Sequence, residues 1–103
     1  MTLAEIKNYL RVDGNEENAL IELMMSAAEE FIVAAVGRFD ETKKRACILY
    51  QVVVQDMYDN RRMVTDGSSK YTVGQQYRNL ITSLVRQLQA EELLPDEEDE
   101  NGI

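Results

Sequence analysis

The chain reads as all-α: a compact four-helix domain (a short helix, two long helices and a C-terminal helix), with a disordered acidic C-terminal tail. Three observations predict this. Apolar residues recur at helical spacing in four blocks, and each block is bounded by residues that start or stop helices. The only proline, Pro95, cannot continue a helix and comes just after the fourth block. The Val52-Val53-Val54 run has strand propensity, but its flanks are helical and no turn residues bracket it. Residues 1–94 are therefore one helical domain and 95–103 an appended tail.

The first helix starts at a capping box. The Thr2 hydroxyl is placed to accept a backbone N–H, and the Glu5 carboxylate to reach back to the cap. Leu3, Ile6, Tyr9 and Leu10 share one side, and the helix should stop near Arg11–Val12, before the Asp13-Gly14-Asn15 turn. Asn15 offers a new N-cap, with Glu16 and Glu17 in the first turn of the second helix, where negative charge complements the dipole. That helix runs to Gly37, suited to a left-handed stop.

The second helix is apolar around much of its circumference. One stripe holds Leu20, Leu23, Met24, Ala27, Phe31 and Ala34, and an offset stripe holds Ile21, Met25, Ile32 and Val36. Only Glu22, Ser26, Glu29 and Glu30, with Val33 among them, are left for water. Such a helix is either central to its own domain or shared with a neighbouring molecule. In so short a chain sharing is expected, which makes Ile21, Met25, Ile32 and Val36 candidate lateral interface residues.

Asp40 is a plausible N-cap for a third helix over about 41–64. Lys43, Lys44 and Arg45 lie near its start, where the dipole disfavours cations, so an acidic neighbour is expected to offset them. Its main core face is Ala46, Leu49, Tyr50, Val53, Val54, Met57 and Val64, with Ile48, Val52 and Met63 spilling onto another side. Residues 65–76 form the longest loop, marked by Asp66-Gly67 and Gly74. A fourth helix spans about 76–92, with Tyr77, Leu80, Ile81, Leu84, Val85 and Leu88 in one stripe.

Composition bounds the function. The net charge of −8 is local: seven of the nineteen acids fall in residues 91–103, leaving twelve against eleven bases in the body. No long apolar run and no basic-then-apolar leader occur, so secretion, membrane spanning and a membrane partner are not expected. Cys47 is single and sits amid apolar neighbours, as a small buried hydrophobe would. The absence of histidine removes Ser-His-Asp, Cys-His and HExxH arrangements, so no catalytic residues, small-molecule substrate or cofactors are expected. Asp13, Asn15 and Glu17 alternate like the start of a calcium loop, but Asn18 and Met24 stand where glycine and the bidentate acid belong, so no metal site is read there. Asp56 and Asp59 read as a solvated face. The second helix carries no Lys or Arg between Arg11 and Arg38, which argues against direct DNA recognition.

Residues 3–37, LAEIKNYLRVDGNEENALIELMMSAAEEFIVAAVG, resemble the N-terminal half of the small all-helical head-to-tail connector proteins of tailed phages and prophages. The shared order is a short helix, an Asp-Gly turn, an acidic cap and a long helix ending in glycine. Tyr58-Asp59-Asn60-Arg61-Arg62 is similar to the aromatic-acid-Asn-Arg run that closes that family's third helix. The resemblance spans roughly residues 3–64; the 65–76 loop and the acidic tail have no counterpart in it.

That resemblance implies a structural adaptor in the virion, assembled in the host cytoplasm. It would be a homo-oligomeric ring docked on the portal, meeting a tail or stopper protein and passing DNA without sequence-specific contact. Tyr58, Asn60, Arg61 and Arg62 would then be polar interface partners; the plainer reading of Arg61 and Arg62 is as cations favoured at a helix C-terminus. The acidic tail would be a solubilising extension or a strand that orders on docking. The rival expectations are a helical adaptor or regulatory module without a ring, and a small DNA-binding regulator.

Overall fold

In a computed structural model, residues 1–60 and 73–93 are described, and among them the fold is four helices: α1 (Leu3–Leu10), α2 (Asn18–Val36), α3 (Lys44–Asp59) and α4 (Arg78–Glu92). Among the described residues there is no strand. The Val52–Val54 run is helical, and all three valines are buried, so packing on several sides explains their β-branched character. The expected acidic tail, most of the 65–76 loop and the end of the third helix at Met63 and Val64 lie outside the described residues.

Local chemistry sets the helix ends. The Thr2 hydroxyl accepts the Glu5 N–H at 3.1 Å while the Glu5 carboxylate accepts the Thr2 N–H at 2.8 Å, which closes the capping box. Helix α1 ends with Arg11 in the left-handed region (φ 64°), and Val12 N–H returns to the Lys7 carbonyl at 2.9 Å. Gly37 (φ 112°) stops α2, donating to the Val33 carbonyl at 2.8 Å.

Two starts fall later than the sequence suggested. Helix α2 begins at Asn18, with Glu17 at the cap position, so Glu16 and Glu17 precede its first turn. The Asn15 carboxamide instead accepts from Lys7 Nζ at 3.0 Å, tying the turn back to α1. Asp40 caps a short turn rather than the helix: its carboxylate accepts the Thr42 N–H (3.0 Å) and hydroxyl (2.6 Å), and α3 follows from Lys44.

Helices α2, α3 and α4 each pack against the other two, and α1 lies against α2 and α3. The shared core contains Ile6 and Leu10 from α1, Ile21, Met24, Ala28 and Ile32 from α2, Leu49, Val53, Val54 and Met57 from α3, and Ile81, Leu84 and Leu88 from α4. Tyr50 completes it, stacked on Phe39 with ring centroids 5.0 Å apart and its hydroxyl donating to the Met25 carbonyl at 3.1 Å. Burial, with Glu29 and Glu41 nearby, pushes that phenol up to about 12.

The breadth of α2's apolar surface thus has an internal cause. With three helices against it, α2 buries an arc centred on Ile21, Met24, Ala28 and Ile32. That arc is rotated about a quarter turn from the first of the two sequence stripes. Leu23, assigned to the core stripe, is 52% exposed, whereas Ile21 and Ile32 are 0% exposed. Helix α2 is central to its own domain.

Candidate functional site

Helix α4 is fastened to α3 at both ends, by different chemistry. At the start of α3, Lys43 Nζ lies 3.1 Å from one Glu91 oxygen and 3.8 Å from Glu92, and Arg45 pairs with Glu91. Arg38, on the link from α2, donates to Glu92 at 3.0 Å. These carboxylates supply the acidic neighbour that cations at a helix N-terminus require. Hydrogen bonds from Lys43 and then Arg45 hold Glu91 below its usual value. The first two acids of the C-terminal run therefore belong to the folded body.

At the other end, the Tyr58-Asp59-Asn60 run makes three joints. The Tyr58 hydroxyl donates to the Glu17 carboxylate at 2.6 Å, joining α3 to the start of α2. The Asp59 carboxylate accepts from Gln55 at 2.9 Å and from the Tyr77 hydroxyl at 3.0 Å, which meets the start of α4. Burial and this bond raise the Tyr77 phenol. The Asn60 amide donates to the Asp56 carbonyl (3.1 Å) and to its carboxylate (3.2 Å).

Asp56 is the unexpected member. It is 0% exposed, not on a solvated face, and its second carboxylate oxygen accepts the Gly74 N–H at 2.9 Å. A buried carboxylate is tolerated only when hydrogen-bonded, and here the donors come from the end of its own helix and from the segment entering α4. Gly74 is needed for that approach, since a Cβ there would stand 2.5 Å from the Asp56 carboxylate. The sequence carried one faint signal, a lone glycine just before α4. The contact itself is made by that glycine's backbone N–H, which has no side-chain signature.

The expected interface residues divide. Ile21 and Ile32, expected at an interface, are fully buried in this chain's own core beneath α1, α3 and α4. Met25 and Val36 are partly buried against the same core. Tyr58 and Asn60 hold the joints above, and Arg61 and Arg62 lie outside the described residues. What α2 turns outward is a different set: Glu22, Leu23, Ser26, Glu29, Glu30, and Val33 at 43% exposure. Ser26, Glu29, Glu30, Val33 and Ala34 line a shallow depression there. On α3 and α4, Ile48 and Leu80 are each 46% exposed.

The rest of the chemistry is sparse. Cys47 is half-buried, its thiol donating to the Glu41 carbonyl at 3.2 Å, and burial raises it above its usual value, away from the reactive thiolate. Among the described residues no group of three His, Cys, Asp or Glu is placed to hold a metal, and no helix is long and apolar enough to cross a membrane.

Comparison with known families finds a match to the phage gp6-like head-tail connector proteins over residues 1–90. Comparisons with the curated proteins and with the solved structures find no match.

Proposed function

The chain belongs to the phage gp6-like head-tail connector family, and we propose that it works as a non-enzymatic adaptor ring at the junction of head and tail. In this reading identical subunits close into a homo-oligomeric ring that docks on the portal. The ring offers the tail or stopper protein its attachment site and lets DNA through without sequence-specific contact. The protein is made in the host cytoplasm and functions in the virion. Its work is mechanical, carried by surfaces rather than by a cleft.

The observation that carries this reading is the extent of the family match: residues 1–90 take in α1, α2, α3 and all of α4 but its last two residues, with the joints at the end of α3. A rigid body of this kind suits an adaptor, because packed helices transmit load between partners without changing shape.

One observation favours a second reading, a helical adaptor that binds a single partner without forming a ring. Burial of Ile21 and Ile32 removes the broadest apolar flank from the surface, so less remains to drive self-association. Electron microscopy of the purified full chain separates the two. Annular particles are the expected result; a solution that stays monomeric at high concentration in light scattering would retire the ring.

A further inference from the structure

The charges of α2 are of one sign, and those of α3 and α4 are graded along their lengths. Helix α2 carries Glu22, Glu29 and Glu30 and no Lys or Arg. Helix α3 has Lys44 and Arg45 near its start and its acids, Asp56 and Asp59, only in its last turn; α4 has Arg78 and Arg86, and its acids, Glu91 and Glu92, only at its end. Each of these surfaces also exposes aliphatic side chains, Leu23 and Val33 on α2, Ile48 on α3 and Leu80 on α4.

Ile48 and Leu80 lie along one seam. Arg45 meets Glu91 at one end and Asp59 meets Tyr77 at the other, so α3 and α4 run antiparallel. Ile48 is three residues beyond Arg45, and Leu80 three beyond Tyr77; each therefore shares a face with a residue that touches the other helix. Lys44, one turn before Ile48, and Arg86 on α4 are exposed and have no ion-pair partner among the described residues. The carboxylates on this side, Asp59 and Glu91, are at its ends and are already engaged by Tyr77 and by Lys43 with Arg45.

Resting on the ring reading above, we propose that the occupant of α2's outward face is a second copy of this chain, presenting its α3–α4 seam. Leu23 and Val33 of one copy meet Ile48 and Leu80 of the next, and Glu29 and Glu30 face Lys44 and Arg86. Two α2 faces cannot pair with each other, because acid would oppose acid. The contact is therefore heterologous, and because α2 and the seam lie on different sides of the three-helix body, it repeats from copy to copy until the ring closes.

Charge reversal tests this in the full chain. The variants Glu29→Lys with Glu30→Lys, and Lys44→Glu with Arg86→Glu, change only exposed side chains; circular dichroism melting verifies that each folds. Light scattering should show the native chain assembled and each variant at the single-chain mass of 11.8 kDa. Mixing the two variants should restore an assembly in equal proportion, since each then offers the face the other lacks. An unreversed chain that is itself monomeric overturns both this pairing and the ring. A native assembly whose size neither variant alters, or variants that dissociate but fail to reassemble on mixing, overturns the pairing alone. Leu23→Gln, which leaves the charges intact, should weaken assembly as well; no effect from it would also count against the pairing.

Discussion

The two ends of α3 solve one problem, holding α4 in place, with opposite kinds of polar contact. Where α3 starts, the fastening is a web of ion pairs among Arg38, Lys43, Arg45, Glu91 and Glu92, with side chains between 27% and 58% exposed. Where it ends, the fastening is a fully buried carboxylate, Asp56, bonded to Asn60 and to the backbone of Gly74. Water competes for every contact of the first kind; in the second it reaches the donors but not the Asp56 carboxylate. The exposed end is tolerant and weak per bond, whereas the buried end is intolerant, because the Asp56 carboxylate is out of water and depends on its protein donors.

The largest effect should come from Asp56→Ala. Removing the carboxylate leaves the Gly74 N–H without its acceptor and takes one of two acceptors from the Asn60 amide, at a cost of about 3 kcal/mol in unfolding free energy. Chemical denaturation measures it; a loss below about 1 kcal/mol would break the contrast between the two ends. Gly74→Ala should cost about 2 kcal/mol, because a Cβ 2.5 Å from the Asp56 carboxylate forces a backbone shift in a packed region. Thermal melting of this variant should fall between the wild type and Asp56→Ala.

At the exposed end, Glu91→Gln should change stability by under about 1 kcal/mol at neutral pH, and the difference should vanish in high salt. Its signature is in the acid limb. Glu91 is held below its usual 4.5 in the folded state, so its pairing stabilises the fold above that pH and is lost as the pH falls through the lowered folded value. Stability measured from pH 5 downward should therefore fall less steeply in the variant than in the wild type. Equal slopes would show that Lys43 and Arg45 gain nothing from Glu91.

Much of this molecule was legible in its residues. The capping box at Thr2 and Glu5, the stop at Gly37 and the demand for acids near Lys43 to Arg45 all follow from chemistry within a turn or two of helix. Helix identity in the Val52–Val54 run was legible too, because its flanks outweighed its propensity. The phase of α2 was not. Its apolar residues cover more than one helical face, and a wheel cannot choose among arcs when three partner helices are available.

What the sequence by itself determined was therefore the number, order and approximate ends of the helices, and the family to which they belong. Helix starts and stops depend on hydrogen bonds between residues a few positions apart, so local sequence contains both partners. Only the tertiary structure decided that Ile21 and Ile32 face inward, that Leu23 faces out, and that Asp56 is buried against Gly74. Those outcomes depend on where distant helices lie and on a backbone N–H eighteen residues away, of which the glycine before α4 is the one faint sign.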